Sequence, residues 1–132
     1  DMSEKHTNTG AVRIENALPD SLEIFADPLI MKVFSNLIDN AVRYGKTINT
    51  ITFRYEENGG EGIIYCEDDG IGVAEGEKEK IFAYEYGLNT GLGLFLAKEI
   101  LTITGLTIRE NGMSVKGARF EIRCPPNTVR NT

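Results

Sequence analysis

Asn36-Leu-Ile-Asp-Asn40-Ala-Val-Arg43-Tyr44 ends a segment in which Ile30, Val33, Phe34, Leu37, Ile38 and Ala41 recur at helical spacing. Ahead of it, Asp27-Pro28 joins a cap residue to a proline at the first helical position, and Gly45 supplies the stop. The segment reads as an amphipathic helix ending near Tyr44. Asn36, Asn40 and Arg43 are spaced by four and three. At about 100° per residue they share one narrow stripe beside the apolar face. Asparagine is a poor helix-interior residue because its amide competes for the backbone, so two on one stripe suggest a use. The carboxamide oxygen of Asn40 suits Mg²⁺, a hard cation that takes oxygen ligands and keeps several waters. Arg43, one turn on, can reach a phosphate oxygen. The alternative is a plain solvated polar face.

The remaining elements read as two strands ahead of this helix, then a hairpin, a short helix, a longer helix and a last hairpin. Val12-Arg-Ile14-Glu alternates like a strand, and Leu22-Glu-Ile24-Phe does so again after a turn at Pro19-Asp20. Residues 50–57 and 62–68 flank Asn58-Gly59-Gly60, a strong hairpin signal. Glu75 to Phe82 predicts a short helix. Gly91 to Thr104 predicts a longer one, with Leu94, Ile100 and Leu101 inward and Gly105 as its stop. Leu106-Thr-Ile108-Arg and Arg119-Phe120-Glu-Ile122 supply the last two strands. Strands that meet mostly through hairpins, with helices over one face, define an α+β two-layer sandwich with a mixed, mostly antiparallel sheet. No internal repeat is visible.

Two further motifs carry chemistry. Asp68-Asp-Gly70-Ile-Gly72 ends a half-buried strand, and its glycines permit a tight turn and close backbone approach. An ionised Asp68 could accept a hydrogen bond from the exocyclic amine of adenine, giving a preference over guanine. Asp-Asp-Gly is also an ordinary turn sequence. Gly91-Leu-Gly93-Leu94 opens the second helix, whose first N–H groups have no internal partner and can meet a phosphate. A flexible helix start is the other reading.

Bulk composition limits the classes. At 132 residues the chain is one domain, and 41% hydrophobic with 26% charged residues is ordinary for a globular protein. A net charge of −6 argues against a nucleic-acid partner, which is bound through clustered Lys and Arg. Cys66 and Cys124 have no metal-ligand spacing and read as buried thiols of a reducing compartment. No apolar run is long enough to span a membrane, and a cytoplasmic setting without direct membrane contact is expected. Residues 1–10 read as a linker from a missing upstream region, 11–125 as the domain and 126–132 as a tail.

The three motifs, in this order, resemble those of the nucleotide-binding domain of sensor histidine kinases. Those kinases belong to the larger ATPase family of gyrase, heat-shock protein 90 and MutL. The resemblance covers about residues 11–125. Asn36 to Tyr44 matches the asparagine box, Asp68 to Gly72 the first glycine box and Lys80-Ile81-Phe82 the phenylalanine box. Thr90 to Leu94 matches the second glycine box, and Gly117-Ala-Arg-Phe120 the closing strand. The resemblance implies a Bergerat-type ATP-binding fold with ATP and Mg²⁺ as cofactors, and Asn36, Asn40 and Arg43 as the catalytic positions. Asn40 would ligate the metal, Arg43 would contact phosphate, Tyr44 would lie against adenine and Asp68 would take its amine. Gly70, Ile71, Gly72, Ile81, Phe82, Asn89, Thr90, Gly91, Leu92, Gly93, Leu94 and Phe120 would complete the nucleotide site.

One position separates kinases from hydrolysing relatives. Gyrase-type members carry a water-activating glutamate four residues before the metal asparagine, and here that position is Asn36, which cannot act as a general base. Transfer to a protein acceptor is therefore expected, with the same fold as a nucleotide-binding pseudo-kinase or regulatory module as the alternative. The chain departs from the family in a lid of seven residues, Ala83 to Asn89, in Asn89 itself, which replaces a glycine, and in Ala118, where Ser or Thr is common. His6, the only histidine, has no acidic residue after it and is not expected to be the phosphoacceptor. The implied partners are an upstream dimerisation and phosphoacceptor domain of the same protein and a response-regulator receiver domain.

Overall fold

The computed structural model describes residues 5–9, 12–18, 22–24, 30–44, 48–84, 92–112, 116–126 and 129–131. Chain order is β1 (Lys5–Thr9), β2 (Val12–Asn16), β3 (Leu22–Ile24), α1 (Ile30–Tyr44), β4 (Thr50–Asn58), β5 (Glu61–Asp68), α2 (Gly93–Ile103), β6 (Thr107–Glu110), β7 (Arg119–Cys124) and β8 (Val129–Asn131). Six strands form one sheet in the order β1-β2-β4-β5-β7-β6, and β3 pairs with β8 in a separate two-stranded sheet. Among the described residues only β2 and β4 run parallel, and the other neighbouring pairs are antiparallel. This is the expected mixed, mostly antiparallel α+β sandwich.

The β4–β5 hairpin forms where the sequence signalled it. Asn58 faces Glu61 across a two-residue loop, and Gly59 and Gly60 both take positive φ, at 63° and 85°. A loop of that hand matches the twist of the flanking strands. The parallel β2–β4 pair needs a long crossover, which the chain between them supplies with α1.

Burial follows the two periodicities. On α1, Val33, Leu37 and Ala41 stack at four-residue intervals into the core, and α2 adds Leu94, Ala97 and Leu101. They meet Ile51 and Phe53 of β4, Ile64 and Cys66 of β5, and Phe120, Ile122 and Cys124 of β7. Both cysteines are free and buried, as read from the sequence. Burial pushes the Cys124 thiol up to about 12 and Cys66 higher still. The opposite face of the sheet carries paired charges. Arg54 Nε donates to Glu67 at 2.8 Å and lies over the Tyr65 ring at 4.0 Å, Arg123 Nη1 donates to Glu61 at 2.9 Å, and Arg109 pairs with Glu121. Ile63 and Tyr65 are buried on this face, and the Arg119 guanidinium also lies over the Tyr65 ring at 5.6 Å.

The strands at Val12 and Leu22 join different sheets, β2 pairing with β4 and β3 with β8. One expectation is corrected. Glu75 to Phe82 is not one helix but two 3-10 turns, Glu75–Glu77 and Lys80–Phe82. With two glutamates and a glycine in its first three positions, the segment has too few apolar contacts to carry a longer helix. β1 lies within residues 1–10 and β8 within residues 126–132. The capping pair Asp27-Pro28, the stop at Gly45 and the turn at Pro19-Asp20 lie outside the described residues. Among the described residues, no helix is long and apolar enough to cross a membrane.

Candidate functional site

Asn36 and Asn40 are both half-buried, each preceding a core residue of α1, so the stripe does run along the border between core and solvent. Asn36 Nδ2 donates to the carbonyl of Gly93 at 3.2 Å, tying α1 to the first residue of α2. A glutamate there could not donate this bond. A side chain on Gly93 would touch Asn36 Cβ at 3.8 Å, so the helices approach closely at this point. Asn40 makes no side-chain hydrogen bond with another described residue. A half-buried carboxamide without a partner among the described residues is available to a ligand.

Asp68 closes β5 against the start of β7. Its Oδ1 accepts from the Gly70 N–H at 2.9 Å and the Ala118 N–H at 3.1 Å, while its own N–H donates to the Ala118 carbonyl at 3.0 Å. Asp68 Oδ2 makes no hydrogen bond with another described residue. Burial raises the Asp68 pKa above the usual carboxylate range; the two N–H donors oppose this, and the charges of Asp69 and Glu110 add to it. Gly72 takes a φ of 74°, which turns the chain away from the carboxylate. Asp69 Oδ1 accepts from the N–H groups of Asn49 and Thr50 at 2.8 and 3.1 Å, pinning the start of β4 to the same turn.

The model for the histidine kinase-, DNA gyrase B- and HSP90-like ATPases matches residues 26–128. The chain belongs to that ATPase family. Within it, the chain is similar to the sensor protein SrrB of Staphylococcus aureus, at 36% identity over 71% of this chain and 18% of the relative. The domain thus spans about a fifth of that relative's length. The ATP-binding domain of PrrB from Mycobacterium tuberculosis is 24% identical with a TM-score of 0.62, covering 91% of this chain and 76% of that one. Full-length ShkA, crystallised in complex with AMPPNP, is 23% identical with a TM-score of 0.63, covering 71% of this chain and 20% of that one. Both structures share the fold, that of histidine kinase ATP-binding domains.

At the start of α2 in this ATPase domain, Leu92 sits in the left-handed region with φ 68°, the only non-glycine among the described residues with positive φ. Such a backbone state costs on the order of 1–3 kcal/mol and collects at functional sites. Leu92 and Gly93 therefore present the first helical N–H groups from a constrained turn. Leu94, Ile81, Phe82 and Phe120 are core residues, with Phe82 and Phe120 edge to face at 6.1 Å. Ile71 is exposed at 42%. Asn89, Thr90 and Gly91, with the side chains of Arg43 and Tyr44, lie outside the described residues.

The wall behind Asp68 was not read from the sequence. A Cβ on Gly117 would lie 2.0 Å from the Asp68 carbonyl oxygen, and one on Gly112 would lie 2.5 Å from the Gly117 carbonyl oxygen. The paired glycines of the last hairpin were a visible signal for this close approach. Glu110 is buried, with Oε2 accepting from the N–H groups of Gly112 and Arg119, each at 3.0 Å, while Oε1 pairs with Lys78. Nothing local marks that pair, since its members lie 32 positions apart. Volume does not locate the site either. A recess of about 640 Å³ opens beside Lys78, Lys80, Lys98 and Arg109, away from the asparagines, and a smaller one of about 280 Å³ is walled by Asp68, Gly117 and Ala118.

Proposed function

We propose that this domain is the catalytic, ATP-binding part of a two-component sensor histidine kinase. It binds Mg-ATP and presents the γ-phosphoryl to a histidine on a separate dimerisation domain, from which a response-regulator receiver takes it. The observation that carries this reading is Asp68: one oxygen is fixed by Gly70 and Ala118, and the other, without a hydrogen bond to another described residue, would accept from the adenine amine. The AMPPNP complex of ShkA supports a nucleotide in this fold.

The residues present fit a magnesium ion. Among the described residues no cluster of His, Cys, Asp and Glu could cage a metal, so the ion would be held by the Asn40 oxygen with phosphate and water. Bound there, it would neutralise phosphate charge. Asn36 is engaged with Gly93 and carries no basic group, so the domain lacks a water-activating carboxylate at that position. This favours transfer over hydrolysis, with catalysis by positioning and charge neutralisation. His6 lies in a β-strand with no helix around it, and the acceptor is assigned to another segment. The full protein acts from the cytoplasm, whatever anchors it.

Calorimetry should show Mg-dependent binding of ATP in preference to GTP. Asn40→Ala should lose at least about tenfold in Mg-dependent affinity while unfolding like the parent. With labelled ATP the chain alone should take up no phosphate; mixed with its own acceptor helices, it should give an acid-labile, base-stable product. Binding without transfer in that mixture would establish the pseudo-kinase instead, and rapid hydrolysis by the chain alone would restore a gyrase-type ATPase.

A further inference from the structure

We propose that Lys78 and Glu110 form a positioning pair for base recognition: Glu110 holds the backbone that hands its N–H to Asp68, and Lys78 permits Glu110 to be buried there. The inference rests on the assignment of Asp68 to the adenine amine. The Glu110 side chain has no exposure, and that of Lys78 has 13%. A carboxylate so placed needs its charge compensated and its lone pairs filled, and both conditions are met. One oxygen pairs with Lys78; the other takes the N–H groups of Gly112 and Arg119. Lys78 Nζ also donates to the Gly112 carbonyl at 2.9 Å.

Arg119 directly follows Ala118, whose N–H and carbonyl both bond Asp68. The peptide fixed by Glu110 is thus the neighbour of the peptide that fixes the base-reading carboxylate. Gly112, gripped by both members of the pair, packs against the Gly117 carbonyl and the Arg119 nitrogen, where no side chain would fit. An apolar pair at these positions would fill the space and leave the two N–H groups without acceptors. Because Lys78 stands between the two 3-10 turns, the pair also joins that segment to the wall of the base site.

The test compares the parent with Lys78→Arg and with the double variant Lys78→Met/Glu110→Gln, which removes both charges and keeps one acceptor oxygen. Lys78→Met alone strands a buried charge and is expected to unfold, so the double variant is the informative one. Well below its unfolding midpoint it should bind ATP about tenfold more weakly, the loss expected when positioned hydrogen bonds are disturbed. Its preference for ATP over GTP should shrink by the same factor, its Mg²⁺ dependence should persist, and the Ala118 and Arg119 amide protons should exchange faster. Lys78→Arg should match the parent. A double variant with parental ATP preference and parental exchange at those amides would overturn the proposal. Equal affinity of the parent for ATP and GTP would instead remove the role of Asp68 on which it rests.

Discussion

Asp68→Asn should lower affinity for ATP by about 100-fold and remove the preference for ATP over GTP, with the domain still folded. A hydrogen bond to a charged group contributes about 1.5–3 kcal/mol, and about 2.7 kcal/mol corresponds to a factor of 100. The substitution removes the charge and turns an amide donor toward the adenine amine, itself a donor. The fold survives because the remaining carboxamide oxygen can still accept from Gly70 and Ala118. Asp68→Ala would be a poorer probe, since both N–H groups would lose their acceptor at about 1–3 kcal/mol each. Calorimetry with both nucleotides decides the matter, and an unchanged ATP/GTP ratio would sink the assignment.

The same carboxylate sets a pH dependence. Burial raises the Asp68 pKa, so the folded state favours the protonated form more than the unfolded chain does. Keeping the group ionised therefore costs folding stability above its folded pKa, and the cost is relieved as pH falls through that value. Base recognition runs the other way, because it needs the ionised form. The ATP/GTP affinity ratio should decline as pH falls, starting above the range of an ordinary carboxylate. Taking the ratio cancels protonation of the triphosphate itself. A ratio that stays flat until the ordinary carboxylate range is reached would contradict the buried, base-reading role.

Gly117→Ala should cost about 3 kcal/mol or more of stability and abolish ATP binding. Its φ of 122° is unfavourable for any residue with a Cβ, and the added carbon would overlap the Asp68 carbonyl oxygen at 2.0 Å and the carbonyl carbon at 3.0 Å. Both are backbone atoms, so no side-chain rotation relieves the clash. Either β5 or the turn before β7 must move, and the Ala118–Asp68 bonds break with it. Gly59→Ala is the control: its φ is also positive, at 63°, but nothing lies within 4 Å. That variant should cost only about 1–2 kcal/mol, the left-handed penalty alone. Urea unfolding of both variants, with ATP binding measured on the folded fraction, separates close approach from conformational preference. Equal costs would show that the contact with Asp68 does not matter.

Much of the domain was legible because its signals are local. The four-residue spacing of Val33, Leu37 and Ala41 and the half-buried border at Asn36 and Asn40 follow from helical geometry alone. The Gly59-Gly60 turn announces its hairpin because few residues accept positive φ in succession. Asp68 could be singled out because a carboxylate before two spaced glycines is a chemical statement as well as a turn.

What depended on partners distant in sequence was not legible. The strand at Val12 is the same strand whether it pairs with Leu22 or with Ile51, and only the packing of α1 over the sheet selects the parallel partner β4. β1 and β8 lie in polar segments with weak patterns of their own, and they become strands through edges supplied elsewhere. The need for glycine at 117 comes from a backbone carbonyl 49 positions earlier, which no side-chain pattern encodes. Lys78 and Glu110 look like two of many surface charges until the fold removes water from both. The sequence by itself determined α1, the β4–β5 hairpin and the candidate groups at Asn36, Asn40 and Asp68, because periodicity and residue type are local properties. Only the tertiary structure decided which backbones meet and which charges are buried, because those depend on what the rest of the chain brings against them.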